Sequence, residues 1–393
     1  MNARPDPAPK PPWLILWLIG FFAFLNVYSM QAVLPQVMQD FQASPTQAGA
    51  TVGATVLAIA LVSPFIGMLS DAFGRKVVVC SSMFLLSLPT VLIPAASSLN
   101  EVIALRFIQG LAVPGIAVVT IAYIGEEFRM GGLARMMSLY VGGTVMGGFS
   151  GRFITGHASD FLGWRGAFLL LASLNLLGAC LAAWRLPASR NFVPNRNLKQ
   201  ALAMLGRHLR NRRLWAVCAV GFCVLLSLVG TFTYVNLHLA AEPFQLSPAG
   251  LANVFCVYLV GAVVTPLTGR LIGRYGLLPS LMAAMGLSCA GLLLTLAPSL
   301  AAVVVGLTVC SSGIFVCQSA TISHLSNRVT EGRSLATGLY YLSYYTGGAV
   351  GAWLVGLAYE SWHWTGSVIT IAAFQALAVL IATRFLRTPA RTA

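Results

Sequence analysis

Phe41-Gln42-Ala43-Ser44-Pro45 recurs as Phe244-Gln245-Leu246-Ser247-Pro248, an offset of 203 residues. Two further matches lie outward from it. Pro64-x-x-Gly67 with Gly74 recurs as Pro266-x-x-Gly269 with Gly276, an offset of 202, and Gly147-Gly148-x-x-Gly151-x-x-x-x-Gly156 followed by Trp164 and Gly166 recurs as Gly347, Gly348, Gly351, Gly356, Trp364 and Gly366, an offset of 200. Three matches at nearly constant offset, each at the same place in its half, imply a duplicated unit. Apolar runs of about 20 residues, the length that spans a bilayer, fall at 13–38, 46–70, 77–97, 101–125, 133–158 and 165–186, then at 214–239, 247–272, 277–298, 300–324, 334–358 and 363–386. The expected fold is an all-α polytopic membrane protein with twelve transmembrane helices in two pseudo-symmetric six-helix bundles. Its expected divisions are a tail 1–12, a bundle 13–186, a basic linker 187–213, a second bundle 214–386 and a tail 387–393.

Composition agrees. Of 393 residues, 58% are hydrophobic and 9% charged, against about 25% charged for a soluble domain, and the mean hydropathy is +0.81. The eight cysteines all lie in apolar runs without a CxxC pair, so they read as small buried hydrophobes; neither disulfides nor a metal site is expected. The first apolar run is too long for a signal-peptide core and is expected to remain as a helix.

The formal charge of +14 would fit a nucleic-acid binder only if a soluble basic domain carried it. Twelve spans instead place both termini on one side. If that side is cytoplasmic, 21 of the 24 basic residues lie on it, seven of them in the linker, with Arg165 outside and Arg106 and Arg152 within spans. Asp40, Glu101, Asp160, Glu242 and Glu360 fall at outer ends. This is the positive-inside pattern, and no nucleic acid is expected as a partner.

Between the second and third spans stands Gly67-x-x-x-Asp71-Ala72-x-Gly74-Arg75-Lys76. It resembles the signature Gly-x-x-x-Asp-(Arg/Lys)-x-Gly-Arg-(Arg/Lys) of the major facilitator superfamily, with Ala72 in place of the first basic residue. Gly67 is expected to let helices approach closely and Gly74 to permit a tight turn. The resemblance implies a charge cluster of Asp71 and Arg75 that steadies one conformational state, with Glu126 or Glu127 as its acid on the fourth span. In the second copy Gly273 replaces the Asp. Arg106-x-x-Gln109-Gly110 resembles the superfamily's second motif, whose arginine the resemblance ties to proton coupling. Gly143-x-x-x-Gly147-Gly148-x-x-Gly151-Arg152 resembles its antiporter motif, departing at Gly148 and Arg152. With Asp160 and the Gly163-Trp164-Arg165 corner, this form is similar to the acriflavin-sensitivity (YnfM-type), drug:proton antiporter branch.

Buried cations are costly in a bilayer, so Arg106 and Arg152 read as coupling or cavity groups, with Asp40 and Gln109 beside them. The alternative is a structural bridge to Asp40, Glu101 or Asp160. Gly143, Gly147 and Gly151, with Gly347 and Gly351, read as a close-packed seam between the halves. Asn26, Tyr28 and Gln31 in the first span and Tyr234, Asn236 and His238 in the seventh read either as substrate-cavity groups or as interhelical hydrogen-bond formers. Tyr340, Tyr341, Tyr344 and Tyr345 read as an aromatic wall or an interfacial belt. No Asp or Glu occupies the middle of a span, so two cations without an anion favour a neutral or anionic ligand.

No phosphate-binding Gly-x-x-x-x-Gly-Lys-(Ser/Thr) loop occurs, and no nucleophile with a base lies within the spans. The expectation is a secondary active transporter, not an enzyme, without cofactor or metal. It would export a small organic solute by proton antiport with alternating access, acting as a monomer in a bacterial inner membrane with both termini cytoplasmic. Its expected partners are the solute, protons and the lipid bilayer. An uptake symporter for an organic anion and a non-transporting receptor are the competing readings.

Overall fold

The computed structural model describes residues 13–128, 132–189, 206–265, 268–328 and 333–386. The two tails, Arg129, most of the linker and Pro266, on which some of the expectations fall, lie outside the described residues.

Among the described residues every regular element is helical. They are α1 (Trp13–Leu25), α2 (Leu34–Asp40), α3 (Pro45–Val62), α4 (Ile66–Phe73), α5 (Arg75–Leu92), α6 (Leu99–Glu127), α7 (Leu133–Arg185), α8 (Arg212–Ala240), α9 (Pro248–Val254), α10 (Val257–Val264), α11 (Thr268–Tyr275), α12 (Leu277–Leu294), α13 (Leu300–Arg328) and α14 (Arg333–Phe385). At 1.5 Å per residue, the 53 residues of α7 and of α14 run about 80 Å, enough for two crossings of a core about 30 Å thick. Each is broken once, α7 at Gly163 (φ 65°) and α14 at Trp362 and His363 (φ 52° at His363). Divided there, with the shorter broken segments joined, the helices are consistent with twelve crossings.

Three expected spans are interrupted. The first divides into α1, a 3₁₀ turn Ser29–Val33 and α2, bent by 44°. The second stops at Val62, because Pro64 has no N–H and its ring clashes with the carbonyl four residues back. The eighth divides into α9, α10 and α11.

The sequence repeat is a backbone repeat as well. Gln42 and Gln245 share a left-handed φ of 48° and 47°, and the serine two residues on caps the next helix in both copies. Gly74 (φ 92°) and Gly276 (φ 85°) make the same turn, which an L side chain would strain. A side chain added at Gly147 would overlap the carbonyl oxygen of Phe21, and one at Gly347 that of Phe222; Gly151 against Leu25 and Gly351 against Leu226 repeat the relation one turn on. Gly143 lies against Trp17, and at the equivalent point Ser343 Oγ donates to Cys218 O at 2.9 Å.

These contacts correct the expected seam. Gly143, Gly147 and Gly151 join α7 to α1 within the first bundle, and Gly347 and Gly351 join α14 to α8 within the second. The bundles meet instead along α3 and α14, where Gly53 faces Ala352 and Gly348 faces Val56, and along α7 and α9, where Gly156 faces Pro248 and Ala252. Gly67 likewise has no atom within 4 Å of its added Cβ. Close approach within the first bundle occurs instead at Gly110 against Thr55 and at Gly115 against Ser82.

Candidate functional site at the junction of the bundles

Arg106, on α6, is fully buried. Its Nε donates to Thr51 O at 3.1 Å, Nη1 to Asn26 O at 2.8 Å and Gln109 Oε1 at 2.7 Å, and Nη2 to Val27 O at 2.6 Å. Asn26 and Val27 stand just past the end of α1, where backbone carbonyls lack helical donors and carry the negative end of the helix dipole. Four of the five guanidinium donors therefore meet acceptors of the first bundle, three of them backbone. Gln109 passes the network to Thr90 Oγ1 at 2.8 Å, and Thr55 Oγ1 donates to Arg106 O at 3.0 Å. The acid bridges considered for Arg106 are not formed. Asp40 instead accepts from Arg165 Nη2 at 2.8 Å and from Trp164 Nε1 at 3.2 Å.

Arg152, on α7, is 3% exposed, yet its surroundings differ. Its Nε donates to Gln31 Oε1 at 2.8 Å and Nη1 to Gly148 O at 2.6 Å; no acceptor among the described residues meets Nη2. The guanidinium carbon lies 4.6, 4.8 and 4.7 Å from the ring centroids of Tyr28, Phe255 and Tyr258. Such contacts are electrostatically favourable because a ring face is negative. Tyr28, Gln31 and Arg152 belong to the first bundle, Phe255 and Tyr258 to the second. Gln31 extends the crossing by donating from Nε2 to Thr233 Oγ1 at 2.9 Å.

The remaining candidates divide by position. Tyr28 and Gln31 join Arg152. Asn26 is buried with both side-chain polar atoms unpartnered, and Asn236 donates to Phe232 O at 2.6 Å while its Oδ1 has no partner. Tyr234 is a wedge at the bundle junction. Its hydroxyl donates to Ala352 O, its ring stacks on Tyr359 at 5.7 Å, and it fills the space that side chains at Gly49 and Gly356 would take. Tyr341 stacks on Tyr345 at 5.9 Å and Tyr344 on Tyr340 at 5.7 Å, so the four tyrosines form one aromatic cluster.

At the opposite end from Asp40, Arg75 draws the loop motif together. Its Nε and Nη2 donate to the two carboxylate oxygens of Glu126 at 3.2 and 2.7 Å, Nη2 also reaches Asp71 Oδ1 at 2.6 Å, and Nη1 donates to Ser70 Oγ. A planar guanidinium is suited to this forked pairing.

Sequence reading missed Thr51, Thr233, Phe255 and Tyr258. None carries a local signal, since each becomes a site residue only through the helix packed against it. Among the described residues no cluster of metal-ligating side chains occurs.

The chain matches the description Major Facilitator Superfamily over residues 16–256 and again over 239–393. It belongs to that superfamily. It is 32% identical over 376 residues to the inner membrane transport protein YnfM of Escherichia coli (strain K12), covering 95% of this chain and 90% of that one. It is 30% identical over 363 residues to the MFS-type transporter YybF of Bacillus subtilis (strain 168), covering 92% and 89%. A solved bacterial homolog of the human lysosomal transporter Spinster, inward-facing and occupied, superposes with a TM-score of 0.81 at 17% identity over 97% of this chain and 98% of that one, a likeness of fold. As a superfamily member, the protein is a multi-pass membrane transporter of two helical bundles.

Proposed function

We propose that the protein is a secondary active transporter of a bacterial inner membrane that exports a small organic solute, a drug-like compound or metabolite, in exchange for protons. Both termini, and with them the Arg75 end, are cytoplasmic in this reading, and the stretch 187–213 joins the bundles on that side. The observation that carries it is the position of Arg152, a buried cation held by groups of both bundles where a transporter of this architecture binds at mid-membrane. Tyr28 and Gln31 share that role. Asp71, Arg75 and Glu126 lock one conformation from the cytoplasmic end, as the family resemblance implies. Arg106 with Gln109 holds the broken first span in the shape that presents Tyr28 and Gln31. Proton exchange then falls to shallow outer-end carboxylates, of which Glu360 touches the opposite bundle.

Proteoliposomes preloaded with a compound panel test this. Export should follow an imposed pH step and stop when the gradient is collapsed with a protonophore. Flux that runs only inward with protons would replace export by uptake symport of an organic anion, the reading that the uncompensated charge of Arg152 favours. Ligand binding without any flux would make the protein a receptor.

A further inference from the structure

Arg106 and Arg152 are both buried guanidinium groups inside spans, but their donors are used differently. Arg106 places four hydrogen bonds on its own bundle. Arg152 places two and is otherwise faced by three aromatic rings. A guanidinium has five N–H donors in one plane, matched to a carboxylate by a two-pronged pair. Ring faces offer a cation no directed acceptor for those donors, so the missing partner of Arg152 is an anion.

Among the described residues no carboxylate pairs with it, and Glu126 and Glu127 lie at the far end of α6. Asp40 is taken by Arg165, Asp71 and Glu126 by Arg75, Glu101 by the backbone N–H and hydroxyl of Ser97, Glu242 by Gln245, and Glu360 by Thr46. Asp160 is exposed, eight residues along α7 from Arg152, or about 12 Å of helix. The surroundings also define the rest of a ligand. Tyr28, Phe255 and Tyr258 present flat ring faces from both bundles. The unpartnered buried amide of Asn26 adds hydrogen-bonding capacity two residues from Tyr28.

We propose that Arg152 is an anion subsite and that the transported solute is a flat, aromatic monoanion whose carboxylate pairs with the free edge of this guanidinium. The inference rests on the transporter reading above and names its substrate class. Because the pair joins the two bundles through one ligand, occupancy stabilises the state in which Tyr28 and Tyr258 both face Arg152.

The test is ligand-dependent thermal stabilisation of the full chain in detergent, with no gradient. The probes are benzoate and 2-naphthoate, their carboxamides, and the matching aminomethyl cations. The carboxylates should bind roughly tenfold or more tighter than the amides, and the cations should be weakest. Arg152→Gln should erase the carboxylate preference while leaving amide binding. Gln31→Glu, which sets an internal carboxylate against Arg152 Nε, should raise the melting temperature of the ligand-free protein and abolish carboxylate binding. Equal affinity across the three charge types, a preference for the cations, or full carboxylate binding by the Gln31→Glu variant overturns the proposal. Carboxylate binding with no pH-driven flux in proteoliposomes would overturn antiport and leave the anion subsite standing.

Discussion

The carboxylate of Glu360, on α14 of the second bundle, accepts a hydrogen bond from the backbone N–H of Thr46 in the first bundle at 2.9 Å. Thr46 lies in the first turn of α3, where backbone donors have no helical partner and the dipole favours an anion. One titratable side chain thus closes the bundle junction at the end where Tyr234 is wedged. Tyr359, the residue before it on α14, stacks on Tyr234 at 5.7 Å and meets His363 edge-on at 6.2 Å.

Glu360→Gln should therefore loosen this end. An exposed charge at a helix N-terminus contributes about 0.3–1 kcal/mol, so the closed population should fall roughly two- to fivefold. Spin labels at Gln42 and Trp362, both exposed, should report longer distances in the variant. Acid pH should lengthen them in the parent, by protonating Glu360, and have less effect in the variant. Matching distance distributions and pH responses in the two proteins would refute the latch.

Gly147→Ala and Gly347→Ala should each destabilise one bundle rather than separate the two. The added methyl meets a backbone carbonyl, of Phe21 or Phe222, that cannot move without shifting a helix. Overpacking of this kind costs about 1–3 kcal/mol. Gly148→Ala is the control, its nearest contact being Arg152 Nη1 at 3.8 Å. Thermal unfolding in detergent checks the difference, and parental stability for Gly147→Ala would refute the close packing.

Arg106→Ala should lower stability more than Arg152→Gln. It removes a donor from the carbonyls of Asn26, Val27 and Thr51 and from the Gln109 amide oxygen; Asn26 O keeps the Ser29 hydroxyl at 3.0 Å, and each buried acceptor left unpaired costs about 1–3 kcal/mol. Arg106→Lys recovers part of the loss, since an ammonium offers three donors and no fork. If Arg106→Ala unfolds at the parental temperature, the arginine is not the clamp on the broken first span, and a coupling role returns to it.

Within the loop cluster, transport at equal protein abundance should fall in the order Arg75→Ala, then Glu126→Gln, then Asp71→Asn. Arg75 is the shared partner of the two acids, Glu126 holding it by two oxygens and Asp71 by one. With Ala72 where the family resemblance would put a second cation, the Asp71→Asn effect should be small, within about tenfold. A larger loss for Asp71→Asn than for Glu126→Gln reverses the assignment.

Segments whose meaning is local were legible in the sequence by itself. The apolar runs, the thrice-repeated spacing and the turn at Gly74 determined a duplicated all-helical membrane protein, because bilayer crossing and positive φ are properties of a contiguous stretch of chain. The loop motif gave the Asp71 and Arg75 pair and narrowed its acid to two neighbours. Tertiary structure alone decided the rest. Arg106 and Arg152 carry equal charge and are both buried, and nothing near them in sequence says which is satisfied. The difference is that α6 faces the buried carbonyls where α1 breaks, while α7 faces the rings of Phe255, just past α9, and Tyr258 on α10. The glycines were legible as packing residues but not by partner. A small residue shows that a backbone comes close, and only the assembled bundles show that it is α1 for Gly147 and α8 for Gly347.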